Sequence, residues 1–198
     1  MKNQKGMTFL EILVAIGLYA VIILMLGQLI DVFSNLKKLT LESSYPQQDI
    51  EYLFQYMITD LRSMGPSSVG SYPIESASSS SLAFYSDTNR DGLMERIRYL
   101  IATSTLERGS ITPSGNPLVY ATSSEIVITI VPHILVGQSY FEYFDKNYIG
   151  TQTPLTSPID LSKIRTIRTS FTVDTSTTTA PLPINFSTFI TPRNLKSD

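Results

Sequence analysis

Apolar positions run almost without a break from Ile12 to Ile30, and Glu11 is the only side chain in 7–30 that is charged at neutral pH. A bilayer core takes about 20 such residues, so the segment is long enough to span one. It is too long, and lacks an A-x-A-like exit, for an ordinary secretory signal peptide. A carboxylate costs on the order of 2–3 kcal/mol at the bilayer centre, so an ionisable group in such a helix marks function by default. Past Ile30 the pattern turns amphipathic, with Val32, Phe33, Leu36 and Leu39 on one face. Ser43-Ser44-Tyr45-Pro46 predicts a kink or restart, because proline lacks a donor and disfavours helical geometry just before itself. Ile50, Leu53, Phe54, Met57, Ile58 and Leu61 then fall on one stripe at helical period, which Gly65-Pro66 ends. Continuous from Met7 to Arg62, this helix would be roughly 80 Å long at 1.5 Å per residue. The stripe reads as a core face that packs on the sheet that follows.

Downstream the period changes to two. Ser, Gly and Pro make 67–81 a connecting loop, and 82–85 a short strand. Ile97, Tyr99 and Ile101 alternate with Arg96, Arg98 and Leu100. Ile126, Ile128 and Ile130 alternate with Val127, Thr129 and Val131, a run that predicts a strand buried on both faces. Tyr140–Phe144 is rich in aromatics, 164–171 alternates again, and Ile184–Ile190 is the last predicted strand. Thr/Ser/Pro-rich loops fill 151–158 and 174–183. The fold class is α+β: a long N-terminal hydrophobic helix, half membrane-spanning and half amphipathic, packed on an antiparallel β-sheet domain.

Length and composition narrow this further. The chain has 198 residues, enough for one membrane helix and one modest soluble domain. It has no cysteine, which rules out disulfides and thiolate metal sites. Its net charge of −2 comes from interspersed signs, so no electrostatic footprint for nucleic acid stands out. Lys2 and Lys5 precede the span while Lys37 and Lys38 follow it, and charge alone leaves the orientation open. An enzyme is not expected. His133 is the only histidine, no serine sits in G-x-S-x-G, and no loop matches G-x-x-x-x-G-K-[ST].

One stretch has ligand spacing. Asp87, Asn89 and Asp91 precede Gly92 as in the first half of an EF-hand loop, which makes them a candidate calcium site. The twelfth position is Arg98 instead of the bidentate glutamate, and a strand replaces the usual helix. The plainer expectation is a polar hairpin turn, for which Asp, Asn and Gly are suited by their backbone preferences.

The segment Gly6-Met7-Thr8-Phe9-Leu10-Glu11, behind Lys2 and Lys5, resembles the processing site of type IV prepilins and type II secretion pseudopilins. The resemblance implies cleavage by a prepilin peptidase after Gly6 and methylation of Met7, a residue that stands where phenylalanine is commoner. It also implies an assembly role for Glu11, fifth in the mature chain, paired with the terminal amine of a neighbouring subunit. The chain would then comprise a leader (1–6), a filament-core helix (7–30), its amphipathic continuation (31–65) and an extracytoplasmic β-rich domain (66–198). Thr59-Asp60-Leu61-Arg62, Glu95-Arg96-Ile97-Arg98-Tyr99, Phe141-Glu142-Tyr143-Phe144-Asp145 and Thr191-Pro192-Arg193-Asn194-Leu195 are similar, in that order, to J-type minor pseudopilins and related minor pilins. That likeness implies a single-pass protein of the cytoplasmic membrane. It would later join a filament tip or initiation complex, with other pilin subunits and an inner-membrane assembly platform as partners. Two rivals share the N-terminal features. One is a membrane-anchored binding module such as a tip adhesin or DNA-uptake pilin, which would need an exposed basic or aromatic patch. The other is a signal-anchored protein that never assembles, for which Glu11 would be dispensable.

Overall fold

A computed structural model describes residues 9–174 and 183–195, and the side chains of all of these except 33–50. The chain divides into two compact units, Met1–Gln47 and Gln48–Asp198. Helix α1, Phe9–Arg62, begins in the first and ends in the second. Residue 46 is helical, so the restart expected at Pro46 does not occur. Proline deletes one bond of the ladder, and the helix formers Leu41, Glu42, Gln47 and Gln48 sustain the turns on either side. In the first unit every described side chain from 9 to 32 is exposed except the half-buried Ala15.

The second unit holds the last turns of α1 and two antiparallel sheets. Strands β1 (Ile74–Ala77), β2 (Ser81–Ser86), β3 (Glu95–Ile101), β4 (Thr105–Ile111) and β5 (Ile126–Pro132) form a meander in chain order. Strands β6 (Tyr140–Phe144), β7 (Thr166–Val173) and β8 (Ile184–Ile190) form a three-stranded sheet in the same sequential order. Backbone bonds stitch the two sheets together, with Phe141 N–H donating to the Ser79 carbonyl at 2.8 Å and Leu135 N–H to that of Thr172 at 2.8 Å.

The helical stripe does what its period predicts. Met57 and Leu61 are buried in one cluster with Phe84, Ile97, Tyr99, Phe141 and Phe171, and Leu53, Phe54 and Ile58 pack against it. The side chains of Phe33, Leu36, Leu39 and Ile50 lie outside those described. In β3, Ile97, Tyr99 and Ile101 point inward while Arg96, Arg98 and Leu100 alternate outward.

Three expectations change. A strand, β1, lies within the segment read as a loop over 67–81. Strand β4 lies inside its sheet, between β3 and β5, although its pattern gave no strand. The third change is at β5, which is an edge strand and not one buried on both faces. Its residues 126–129 are exposed, Ile126 at 67%, and only Ile130 and Val131 reach the core. Leu53, Phe54 and Met57 of the helix meet the strand at that buried end.

Candidate functional site

The first candidate is the start of α1. Glu11 lies in its first turn, where the unmatched N–H groups of a helix favour a carboxylate. Around it Phe9, Leu10, Ile12 and Leu13 are all exposed. The apolar helical surface extends over 24 residues, Phe9–Val32, long and apolar enough to cross a membrane and with none of it buried in the chain's own fold. An apolar surface of this size is not stable bare in water; it calls for lipid or other helices. Gly17 and Gly27 have open space where a side chain would begin, so nothing among the described residues requires them to be small. Gly6 and Met7, the predicted processing pair, lie outside the described residues.

A second constellation was invisible as such in the sequence. Asp60, one helical turn from Met57, is buried, and its Oδ2 accepts from Tyr99 Oη at 2.9 Å and from Arg108 Nε at 2.9 Å. The Arg108 guanidinium also lies 5.1 Å from the centre of the Tyr56 ring. Its Nη2 is buried without a hydrogen-bond partner. Burial pushes the Asp60 carboxyl above its ordinary value, against the pull of Arg108 and Tyr99. Burial, with the Asp60 charge beside it, likewise pushes the Tyr99 hydroxyl well above its own. The triad ties the end of the helix to the middle of the sheet.

The third is the turn between β2 and β3. Among the predicted calcium ligands, Asp87 Oδ2 accepts from Gly92 N–H at 3.1 Å and Asn89 Oδ1 from Asp91 N–H at 2.9 Å. Both Asp91 oxygens are engaged, Oδ1 by Leu93 N–H at 2.7 Å and Oδ2 by Asn89 Nδ2 at 2.9 Å. These bonds are those of the polar hairpin turn, and Arg90 and Gly92 take the left-handed backbone it needs. Among the described residues, no three His, Cys, Asp or Glu side chains are gathered as a metal centre. The ligand-like stretch ends on Glu95, which is not among the three predicted ligands. Glu95, at the head of β3, is buried, and its Oε2 accepts from both the N–H and the hydroxyl of Thr88 at 2.8 and 3.0 Å. It sits nine positions into the loop counted from Asp87, a ligand position in EF-hands, and that spacing was the available signal.

The remaining polar features are peripheral. His133 follows β5, is exposed, has a left-handed backbone with φ of 57°, and accepts Asp174 N–H at its carbonyl. An aromatic cluster surfaces at Phe189, which is 47% exposed and stacks on Tyr148 with ring centres 5.5 Å apart. It is the kind of patch a tip adhesin would need, although the adjacent Arg168 already pairs with Glu142 at 3.1 Å. No protein-family model and no curated protein matches the chain.

Proposed function

We propose that the chain is a minor pilin or pseudopilin: a structural subunit, not an enzyme, of a type IV filament or a type II secretion pseudopilus. The observation that carries this reading is the 24-residue apolar helix, exposed along its length, with one carboxylate in its first turn. Behind that turn stands the peptidase-site resemblance at Gly6-Met7. In the membrane the helix is covered by lipid; in a filament, by the same helix of neighbouring subunits. Pairing Glu11 with a neighbour's terminal amine satisfies two charges that are each costly in hydrocarbon, and so sets the register between subunits. The β-rich unit stays in water outside the cytoplasmic membrane, where a tip or initiation complex would form. Asp60, Tyr99 and Arg108 keep that unit fixed to its helix under such packing.

The test is the mass of the N-terminus after co-expression with a prepilin peptidase. A chain that begins at methylated Met7 supports the reading. A chain that retains Met1 under those conditions returns the helix to a plain signal anchor.

A further inference from the structure

Glu95 presents a physical problem that the turn around it does not solve. Only 3% of the residue is exposed, and no ion pair among the described residues reaches it, Asp87 or Asp91. Thr88 holds one oxygen, and the other, Oε1, is buried with no donor. At the other end of the turn Asp87 is half-buried, with Oδ2 held by Gly92 N–H and Oδ1 enclosed without a donor. A buried carboxylate is costly unless it is paired or coordinates a metal. Here two carboxylates on one hairpin turn are each oriented by loop donors through one oxygen and left uncompensated at the other.

We infer that the β2–β3 turn binds a divalent cation, calcium by its all-oxygen donors, through Asp87 Oδ1 and Glu95 Oε1. Two carboxylates neutralise the charge of the ion. Calcium takes six to eight oxygens in flexible geometry, so loop carbonyls and water complete its shell, and a third carboxylate is not required. This moves the site from the sequence-predicted set of Asp87, Asn89 and Asp91 to Asp87 and Glu95. Asn89 and Asp91 build the turn, and Glu95 supplies the ligand from the strand. Because Ser86 pairs with Glu95 in the β2–β3 register, the bound ion would staple the two strands where they enter the turn.

The experiment uses the full chain in detergent micelles, with calcium chloride as the probe. Titration calorimetry gives the dissociation constant, and melting is compared in EDTA and in calcium. At about 100 times that constant, calcium is expected to raise the midpoint by roughly 5–10 °C. Glu95→Gln and Asp87→Asn are each expected to lose most of that shift. In EDTA both variants should melt no lower than the parent, since each removes an uncompensated charge. Either variant alone suffices if the other fails to fold. An unchanged parent midpoint on adding calcium overturns the site. A shift that both variants retain also overturns it, because the ion must then bind elsewhere.

Discussion

Tyr99 and Tyr143 are among the largest side chains fully enclosed by the second unit, and each carries a hydroxyl that must find a partner there. Tyr99 donates to Asp60, and Tyr143 to the Ser78 carbonyl at 2.8 Å. Burial raises both hydroxyls above the ordinary value of 10.0. A group whose folded pKa lies above its unfolded one stabilises the fold fully below the unfolded value. That contribution is lost as pH climbs toward the folded one. Both tyrosines act in the same direction, so stability should hold to about pH 10 and fall progressively above it. Urea midpoints of the full chain in detergent between pH 8 and 11.5 would show this. Tyr143→Phe should lower the midpoint at pH 8 by the loss of one hydrogen bond, about 1 kcal/mol, while flattening the alkaline fall. An alkaline slope that is the same with and without the Tyr143 hydroxyl would contradict the account.

The elements show why the sequence is readable in some places and silent in others. The stripe of α1 and the alternation of β3 were legible because their apolar positions follow the period of the element and face one core. Strand β4 was not, since its interior reads Glu107-Arg108-Gly109-Ser110. Arg108 has the look of a surface residue and is in fact buried, because its partner Asp60 comes from a helix 48 residues away in sequence. Gly109 looks like a turn residue, yet it keeps a strand clear: a side chain there would start 2.3 Å from the Glu125 carboxylate that grips Arg98. Strand β5 misled in the opposite direction. Its continuous apolar run is compatible with a buried strand or an exposed edge, and only the strand order decides between them. The Asp60–Arg108 link between helix and sheet has a definite energetic signature. Arg108→Met leaves Asp60 buried without its ion-pair partner and should cost about 3–5 kcal/mol. Adding Asp60→Leu to it should recover much of that loss, since a packed apolar pair can match a buried ionic one. Denaturant midpoints of the parent, both single variants and the double variant measure the coupling. A single variant within 1 kcal/mol of the parent would mean that the pair does not hold the helix to the sheet.

At the scale of the molecule, one unit buries its apolar residues and the other displays them. The β-rich unit has its own core. The described part of the N-terminal unit is an apolar surface waiting for an environment, and the question is whether lipid alone provides it. Glu11 distinguishes the two answers. If the helix is only an anchor, Glu11 does no more than cap its first turn, and Glu11→Ala makes the span more apolar and its insertion easier. If the helix packs among copies of itself and its relatives, Glu11 is the group that fixes one helix against the next. Its loss then leaves a subunit that inserts and is processed normally but docks without a defined register. The expected outcome of Glu11→Ala is therefore a split between two readouts in cells that carry the assembly machinery. The mass of the N-terminus should show cleavage before Met7 at the parental level, while the share of the protein recovered in sheared filaments, or cross-linked to other pilin subunits, should fall at least tenfold. Glu11→Asp, one methylene shorter, should restore part of the assembly, because the charge persists but its reach does not. Parental levels in both readouts for Glu11→Ala would leave the helix an anchor. Loss of cleavage together with assembly would assign Glu11 to recognition by the peptidase and remove it from the contact between subunits.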